Sequence, residues 1–576
     1  MDWSLKRELA ARLEGEQGYF RHPAGTREHF ALVYPNSYRV GMSNLGMHIV
    51  YRLLNERGDT ACERFFLPER RSLERYRATG TPLMSLETQL PLFRFPLVGF
   101  AISFEMDYFH VLDILSLGHV RLLAGERGER DPIVIAGGPC ATFNPEPLHL
   151  FFDAFVIGEG EAILPAFMDA YLGARAEGCT REETLSRLAR VPGIYVPSLY
   201  RHAYSGDGRL SGIQPIGDAP ERVSRQWVRD LDAHPAGTAV VTSDAEFDLY
   251  LVETARGCGR HCRFCMAGYC FRRPRNRSLP ALMRDIEAAK KYGKRIGLMG
   301  AAISDYPWIN ELCAGILDAG LSMSVASFRA DSVTRELVEA LAASGLKTLT
   351  LAPEAGSARM RSIINKGIEE EHLFRAMEWG LAAGVENYRL YFMIGLPFER
   401  QEDIDAIPGL ALRLRERMDA HGSRGMLTLS LHPFVPKPFT PFQWSPMAPR
   451  RWMDSAIKGI RRALSRQRRI EVIADSPREA EIQGVLARGG REIAGALLAA
   501  HEAGGAGAFL RVLREAGIDA ERIRGERARD AVFPWELLDM GVGRDYLLRE
   551  LERAECGECT PKCFDGCTRC GVCACD

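Results

Sequence analysis

Short apolar runs of strand length alternate with helix-spaced stretches along most of this chain. Phe30–Tyr34 reads as a buried strand closed by Pro35 and Asn36, and helical spacing follows from Leu45 to Leu54. Val98–Ser103, Pro132–Ala136 and Ala154–Ile157 repeat the strand pattern, each ending in polar or glycine-rich residues. Strands that alternate with helices predict a doubly wound parallel sheet over residues 1–200. Ligands of such sheets sit beyond the carboxyl ends of the strands, where Gly137-Gly138-Pro139 and Gly158-Glu159-Gly160-Glu161 lie. Residues 201–245, rich in Gly, Pro and Asp, read as a connecting stretch.

Six further strand-like runs follow: Leu249–Glu253, Ile296–Gly300, Ser324–Phe328, Thr348–Ala352, Tyr388–Ile394 and Leu427–Leu431. Helical patterns such as Pro280–Tyr292 and Ser332–Ala343 separate them. Six βα units predict a partial (β/α)6 barrel over residues 246–445, with its site at the C-terminal strand ends. The polar and glycine-rich clusters fall on that rim: three cysteines after the first strand, Gly300-Ala301-Ala302 after the second, Ser327 and Arg329 at the third, Glu354 after the fourth, Gly395-Leu396-Pro397 after the fifth and Pro436-Lys437-Pro438 after the sixth. Beyond it, residues 446–550 read as helical. Eight arginines and lysines between Arg450 and Arg469 suit either a phosphate-tracking stripe or, preferably, a solvated helix face.

A chain of 576 residues exceeds one core and predicts two to four domains. Its net charge of −1 gives no global argument for nucleic acid or membrane, and no apolar run approaches a span. The N-terminal residues lack a signal-peptide pattern, so a cytoplasmic protein is expected. Cysteine placement changes the picture. Of 15 cysteines, four lie between 258 and 270 and seven between 556 and 575, and such clusters in a cytosolic chain point to metal rather than disulfides.

Cys258, Cys262 and Cys265 stand at C-x3-C-x2-C spacing directly after a predicted strand. Three thiols can each hold one iron of a [4Fe–4S] cubane and leave the fourth iron open for another ligand. Zinc is the alternative, with His261 or Cys270 as fourth ligand. The three cysteines, with Phe264 before the last, resemble the signature of the radical S-adenosylmethionine (radical SAM) superfamily. The resemblance implies that the open iron chelates SAM and that one electron from an external donor cleaves SAM to methionine and a 5′-deoxyadenosyl radical. It further implies main-chain contacts to SAM at Gly300 and Ala301, polar contacts from Ser327, Arg329 and Glu354, and adenine packing at Ile394, Gly395 and Pro397. A mutual Arg329–Glu354 salt bridge and a plain turn at Gly395 and Pro397 are the structural alternatives.

The first 200 residues resemble the Rossmann-like, cobalamin-binding domain that precedes many radical SAM cores. Its cobalt-ligating Asp-x-His-x-x-Gly motif is absent, and His48 is preceded by Gly46 two residues earlier. Cobalamin bound without a protein histidine therefore stays open, and histidine ligation is not expected. His432–Trp444, dense in proline and aromatics, suits either stacking of a nucleobase or packing into the core. The tail, residues 551–576, carries Cys556, Cys559, Cys563, Cys567, Cys570, Cys573 and Cys575 and is too short for a core of its own. Metal would supply its folding free energy, as an auxiliary iron–sulfur cluster or as zinc. The layout is similar to methylthiotransferases and tRNA-modifying radical SAM enzymes. It implies modification of an RNA base by methylation or transfer of a sulfur-containing group. A peptide, protein side chain or small metabolite as substrate, and a non-catalytic metal scaffold, are the competing expectations.

Overall fold

The computed structural model describes residues 2–23, 25–206 and 208–575, with the side chains of Ala574 and Cys575 outside that description. Six strands form the first sheet: β1 (Glu28–Tyr34), β2 (Thr60–Phe66), β3 (Leu97–Ala101), β4 (Ile133–Gly137), β5 (Ala154–Val156) and β6 (Ile194–Tyr195). Their order is β2-β1-β3-β4-β5-β6, parallel except for the antiparallel β5–β6 pair. The order reverses between β1 and β3, which places a crevice beyond their carboxyl ends.

The pattern of apolar positions did not predict β2, and burial of charge explains why. Arg64 stands mid-strand, its side chain 1% exposed, between Glu16 at 2.6 Å and Glu87 at 2.7 Å. An internal ion triad supplies the hydrogen bonds that a strand core normally avoids needing, and it breaks the apolar run.

The second sheet begins with β7 (Leu249–Glu253), β8 (Arg295–Met299) and β9 (Met323–Ser324), all parallel. A bridge between Phe328 and Leu351 carries it on to β10 (Thr348–Glu354), β11 (Asn387–Ile394), β12 (Leu427–Pro433) and β13 (Ile470–Ala474). The result is an open, curved parallel sheet, the partial barrel expected, with one strand more. β13 follows the amphipathic helix Arg450–Leu464 and lies within the stretch read as helical. Its alternating pattern of buried Ile470 and exposed Glu471 and Ile473 is that of an edge strand. On the preceding helix Met453, Ile457, Ile460 and Leu464 are buried while Arg461 and Arg462 face solvent, so the basic stripe is a solvated face.

The C-terminal helices do not stand apart. Val223–Ser224 pairs with Leu538–Asp539, Asn144 donates to the carbonyls of Ala487 and Gly489 at 3.1 and 2.7 Å, and Phe109 meets Phe509 edge-on. One apolar cluster therefore runs from the first sheet into residues 482–554. Among the described residues no helix is long and apolar enough to cross a membrane.

Replacing Arg64 with Ala leaves two buried carboxylates facing each other and should cost about 3–5 kcal/mol near pH 8. Without the guanidinium, both carboxylates take up protons in the folded variant before they do in the unfolded chain. The deficit should therefore shrink as pH falls toward 5, read from urea midpoints across pH.

Candidate active site

The loop Cys258–Cys265 follows β7 and lies at the carboxyl rim of the second sheet. It has little regular structure, and side chains from four directions hold it. Arg260 grips Asp305 at 2.7 Å and Asp331 at 2.8 Å. Arg263, its side chain fully buried, donates to Glu550 at 3.2 Å and to the carbonyls of Ile363 and Glu558 at 2.8 and 2.7 Å. The Arg263 N–H also bonds the Ile364 carbonyl. Arg329 reaches the Cys262 sulfur at 3.4 Å, pairs with Asp331 and bonds the Lys366 carbonyl.

The three thiols are near enough to affect one another. Burial pushes Cys265 up to about 11, and the neighbouring Cys262 and Cys258 add to that. Burial likewise raises Cys258, opposed by the Arg260 amide at 3.4 Å. Among the described residues no three His, Cys, Asp or Glu side chains converge closely enough for a single metal ion. A cubane asks for a different donor set, with each thiolate on its own corner iron. Three neighbouring thiols with the Arg329 guanidinium on Cys262 and the Arg260 N–H on Cys258 fit that requirement, because a cation and a donor offset the charge that the sulfurs acquire on losing protons. The zinc alternative loses its fourth ligand: Cys270 is in the apolar core and His261 turns toward the C-terminal tail.

Around the loop the structure sorts the expected contacts. Gly300 and Ala301 line a cavity, and a Cβ on Gly300 would stand 3.0 Å from Ile303 and 3.1 Å from Thr254. Ser327 is half-buried on the same rim. Glu354 ends β10 in the left-handed region, φ 67°, a conformation rare for a residue with a side chain. It does not pair with Arg329. Its partner is Lys366 at 3.0 Å, and the Lys366 ammonium also lies over the Phe264 ring. Lys366 sits outside every run that the sequence singled out.

Two expectations on β11 change. Ile394 is fully buried in the core of the second sheet, so its side chain is not free to pack on an adenine; Met393, half-buried, carries the other face. Gly395 adopts φ 87° and a Cβ there would meet Ala448 at 2.8 Å, so turn geometry alone demands glycine. Its N–H donates to Glu399 at 2.6 Å, and Pro397 is buried beside it. Glu399 escaped the sequence reading because nothing in its local pattern marks burial. The proline-rich segment resolves as packing: Phe434, Phe439, Phe442 and Trp444 are all buried and Lys437 pairs with Glu105, so none offers a free stacking face.

A cavity of about 480 Å³ opens between the two sheets. Asn44 to Gly46, Gly99 to Ala101 and Gly137 to Pro139 line it from the first sheet; Ala255 to Gly257, Ala267, Phe271 and Met299 to Ala301 line it from the second. Arg256, two residues before Cys258, closes one side by pairing with Glu159, Glu161 and Glu253, each at 2.9 Å. The two glutamates of the Gly158–Glu161 turn are thus committed to holding the sheets together. His48 is committed too. One ring nitrogen bonds the Met42 carbonyl at 2.9 Å, the other receives the Val240 N–H, and burial lowers it to about 4.

Residues 46–197 match the family model described as radical SAM proteins, N-terminal, and residues 252–409 match that of the radical SAM superfamily. An uncharacterized protein of Methanocaldococcus jannaschii is 30% identical over 417 residues, 72% of this chain and 78% of that protein. The chain belongs to the radical SAM superfamily. Similar solved structures include the cobalamin-dependent S-adenosylmethionine radical enzyme OxsB, at 16% identity and TM-score 0.46, covering 67% of this chain and 52% of OxsB. The radical SAM methyltransferase TsrM from Kitasatospora setae is 16% identical with TM-score 0.42, covering 70% and 72%. This radical SAM protein spans about half the length of OxsB.

Burial pushes the Glu399 carboxyl up to about 8, partly opposed by the Gly395 N–H. An unfolded glutamate titrates near about 4.3, so the folded protein holds the extra proton between those values and loses stability as pH climbs through them. Glu399→Gln should flatten that decline. Its stability relative to the parent should rise by at least about 1 kcal/mol between pH 5 and pH 9, measured by denaturant unfolding.

Proposed function

We propose that this protein is an enzyme that reductively cleaves SAM at a [4Fe–4S] cluster held by Cys258, Cys262 and Cys265. The observation that carries the reading is the three-thiol loop at the carboxyl rim, with Arg329 on the Cys262 sulfur. When bound, the cluster supplies one electron and an open iron for the amino and carboxylate groups of SAM. The chain's own residues do the rest. Arg329 offsets thiolate charge at Cys262, and Arg260 fixes the loop through Asp305 and Asp331. Glu354, held by Lys366, presents a carboxylate to ribose hydroxyls or to the methionine ammonium. The main chain at Gly300 and Ala301, free of large side chains, admits the methionine portion beside the loop.

The substrate enters the cavity between the sheets, whose volume is that of a small-molecule site and whose lining is mostly apolar and glycine-rich. Gly257 and Ala267, which flank the cysteine loop, line this cavity, so a group held there would lie beside the loop. Modification of an RNA base loses one support, since the aromatic segment that suited nucleobase stacking is buried. A compact organic substrate is the better fit. Cobalamin is the second occupant that this cavity's apolar, glycine-rich floor favours, and it would bind without an imidazole on cobalt, because His48 is already spent.

Anaerobically reconstituted protein given dithionite and SAM should release 5′-deoxyadenosine, quantified by liquid chromatography. Cys258→Ala, Cys262→Ala and Cys265→Ala should each abolish release, whereas Lys366→Met should lower it at least about tenfold through weakened SAM binding. Release that survives all three cysteine replacements would rule out the site. Hydroxocobalamin added during reconstitution should stay bound through desalting only if the cavity takes it, with a spectrum that lacks a protein nitrogen ligand.

A further inference from the structure

The second sheet presents a polar inner face that the cysteine loop does not use. Leu390, Phe392 and Ile394 of β11 and Leu429 and Leu431 of β12 pack into the apolar core beneath the helices. Residues of the other parity form rows across the sheet: Arg389 beside Thr428 and Glu471, Tyr391 beside Ser430 and Ile473, and Met393 beside His432. Met393 and His432 stand near the ends of their strands, at the carboxyl rim that also carries the cysteine loop. On β7 and β8, Val252 and Leu298 join the same core, while their neighbours Glu253 and Met299 line the cavity between the sheets.

Two groups on this face have binding capacity left over. Arg389 is half-buried and its Nε is closed to water. Among the described residues its guanidinium has neither a hydrogen bond nor an ion pair. A cation drawn partly out of water loses hydration that only an anion restores. His432 donates its Nδ1–H to Asp475 at 2.6 Å, which leaves Nε2 an acceptor with no partner among the described residues. Its ring meets Tyr391 edge-on, with 5.4 Å between centroids. Ile473, in the row between, is 40% exposed, an apolar surface open beside the two polar groups.

We propose that this face binds a small organic carboxylate, its carboxylate forked onto Arg389, its body over Tyr391 and Ile473, and a hydroxyl or amino group donating to Nε2 of His432. The planar guanidinium matches two carboxylate oxygens with two parallel hydrogen bonds. One cation offsets one negative charge, and Glu471 and Asp475 on the neighbouring strand oppose a second, so a dianion such as phosphate is disfavoured. The rows of Arg389 and His432 are four residues apart, about 13 Å along the strands, and the arginine side chain takes up part of that length. A compact molecule spans the rest. The proposal rests on the reading of a compact organic substrate and gives that substrate its chemical class.

The test is chemical protection of the full chain. Phenylglyoxal modifies accessible guanidinium groups, and peptide mass spectrometry reads its rate at Arg389 alone. 3-Phenylpropionate should slow that rate, and 3-(4-hydroxyphenyl)propionate should do so at roughly threefold lower concentration, the worth of one added hydrogen bond. His432→Gln, a change at an exposed side chain, should erase the advantage of the hydroxyl while 3-phenylpropionate still protects. An Arg389 that does not react, or that reacts equally fast with either carboxylate present, would overturn the site. Protection by inorganic phosphate at the same concentrations would overturn the carboxylate class, and a hydroxyl advantage that persists in His432→Gln would remove His432 from the site. None of these readings needs SAM cleavage, so protein that releases no 5′-deoxyadenosine still gives an answer, and the two readings fail separately.

Discussion

The Arg263–Glu550 ion pair is the contact on which the site depends. Neither side chain has appreciable exposed surface, and the guanidinium spends its remaining hydrogens on carbonyls of Ile363 and Glu558. Glu550 in turn receives the Thr560 hydroxyl at 2.7 Å. One buried charge pair therefore joins three segments with no common sheet: the cysteine loop, the short helix Ala358–Ile363 after β10 and the C-terminal helix with its tail. Burying two ions is costly unless every proton and lone pair is used, and here they are shared among all three segments. A loop poor in apolar residues gains its shape from this polar network rather than from a core of its own.

The same logic explains the density of arginine around the site. Arg260, Arg263, Arg272 and Arg329 each fix a different edge of eight residues of loop, and Arg256 just before it joins the two sheets. Planar guanidinium groups bind two or three acceptors in fixed directions, which suits a loop whose exposed carbonyls have no strand to pair with. Cations near the sulfurs also lower the cost of thiolate formation, so the scaffold that holds the loop also prepares it for metal.

Much of this was legible in the chain. Strand length and the position of glycine and proline located five strands of the second sheet within a residue or two, because buried parallel strands are written as nearly unbroken apolar runs. β2 and β13 were not legible, the first because Arg64 is buried mid-strand and the second because an edge strand keeps alternate polar residues. The cysteine loop was evident from spacing, while Lys366 and Glu399 were not, since each acquires its place only through long-range packing. The aromatic segment misled for a general reason: rigid aromatics at a rim and aromatics in a core have the same local composition, and burial alone separates them.

What most directly tests this account is Mössbauer spectroscopy of the ⁵⁷Fe-reconstituted full chain, with and without SAM. Added SAM should shift the signal of a single iron of the loop cluster, about one in four of its irons, while the others stay unchanged. That outcome places the open iron in the loop of Cys258, Cys262 and Cys265. A spectrum that SAM leaves unaltered, in protein shown to carry its iron as cubanes, would contradict the central claim that this loop is built to leave one iron free.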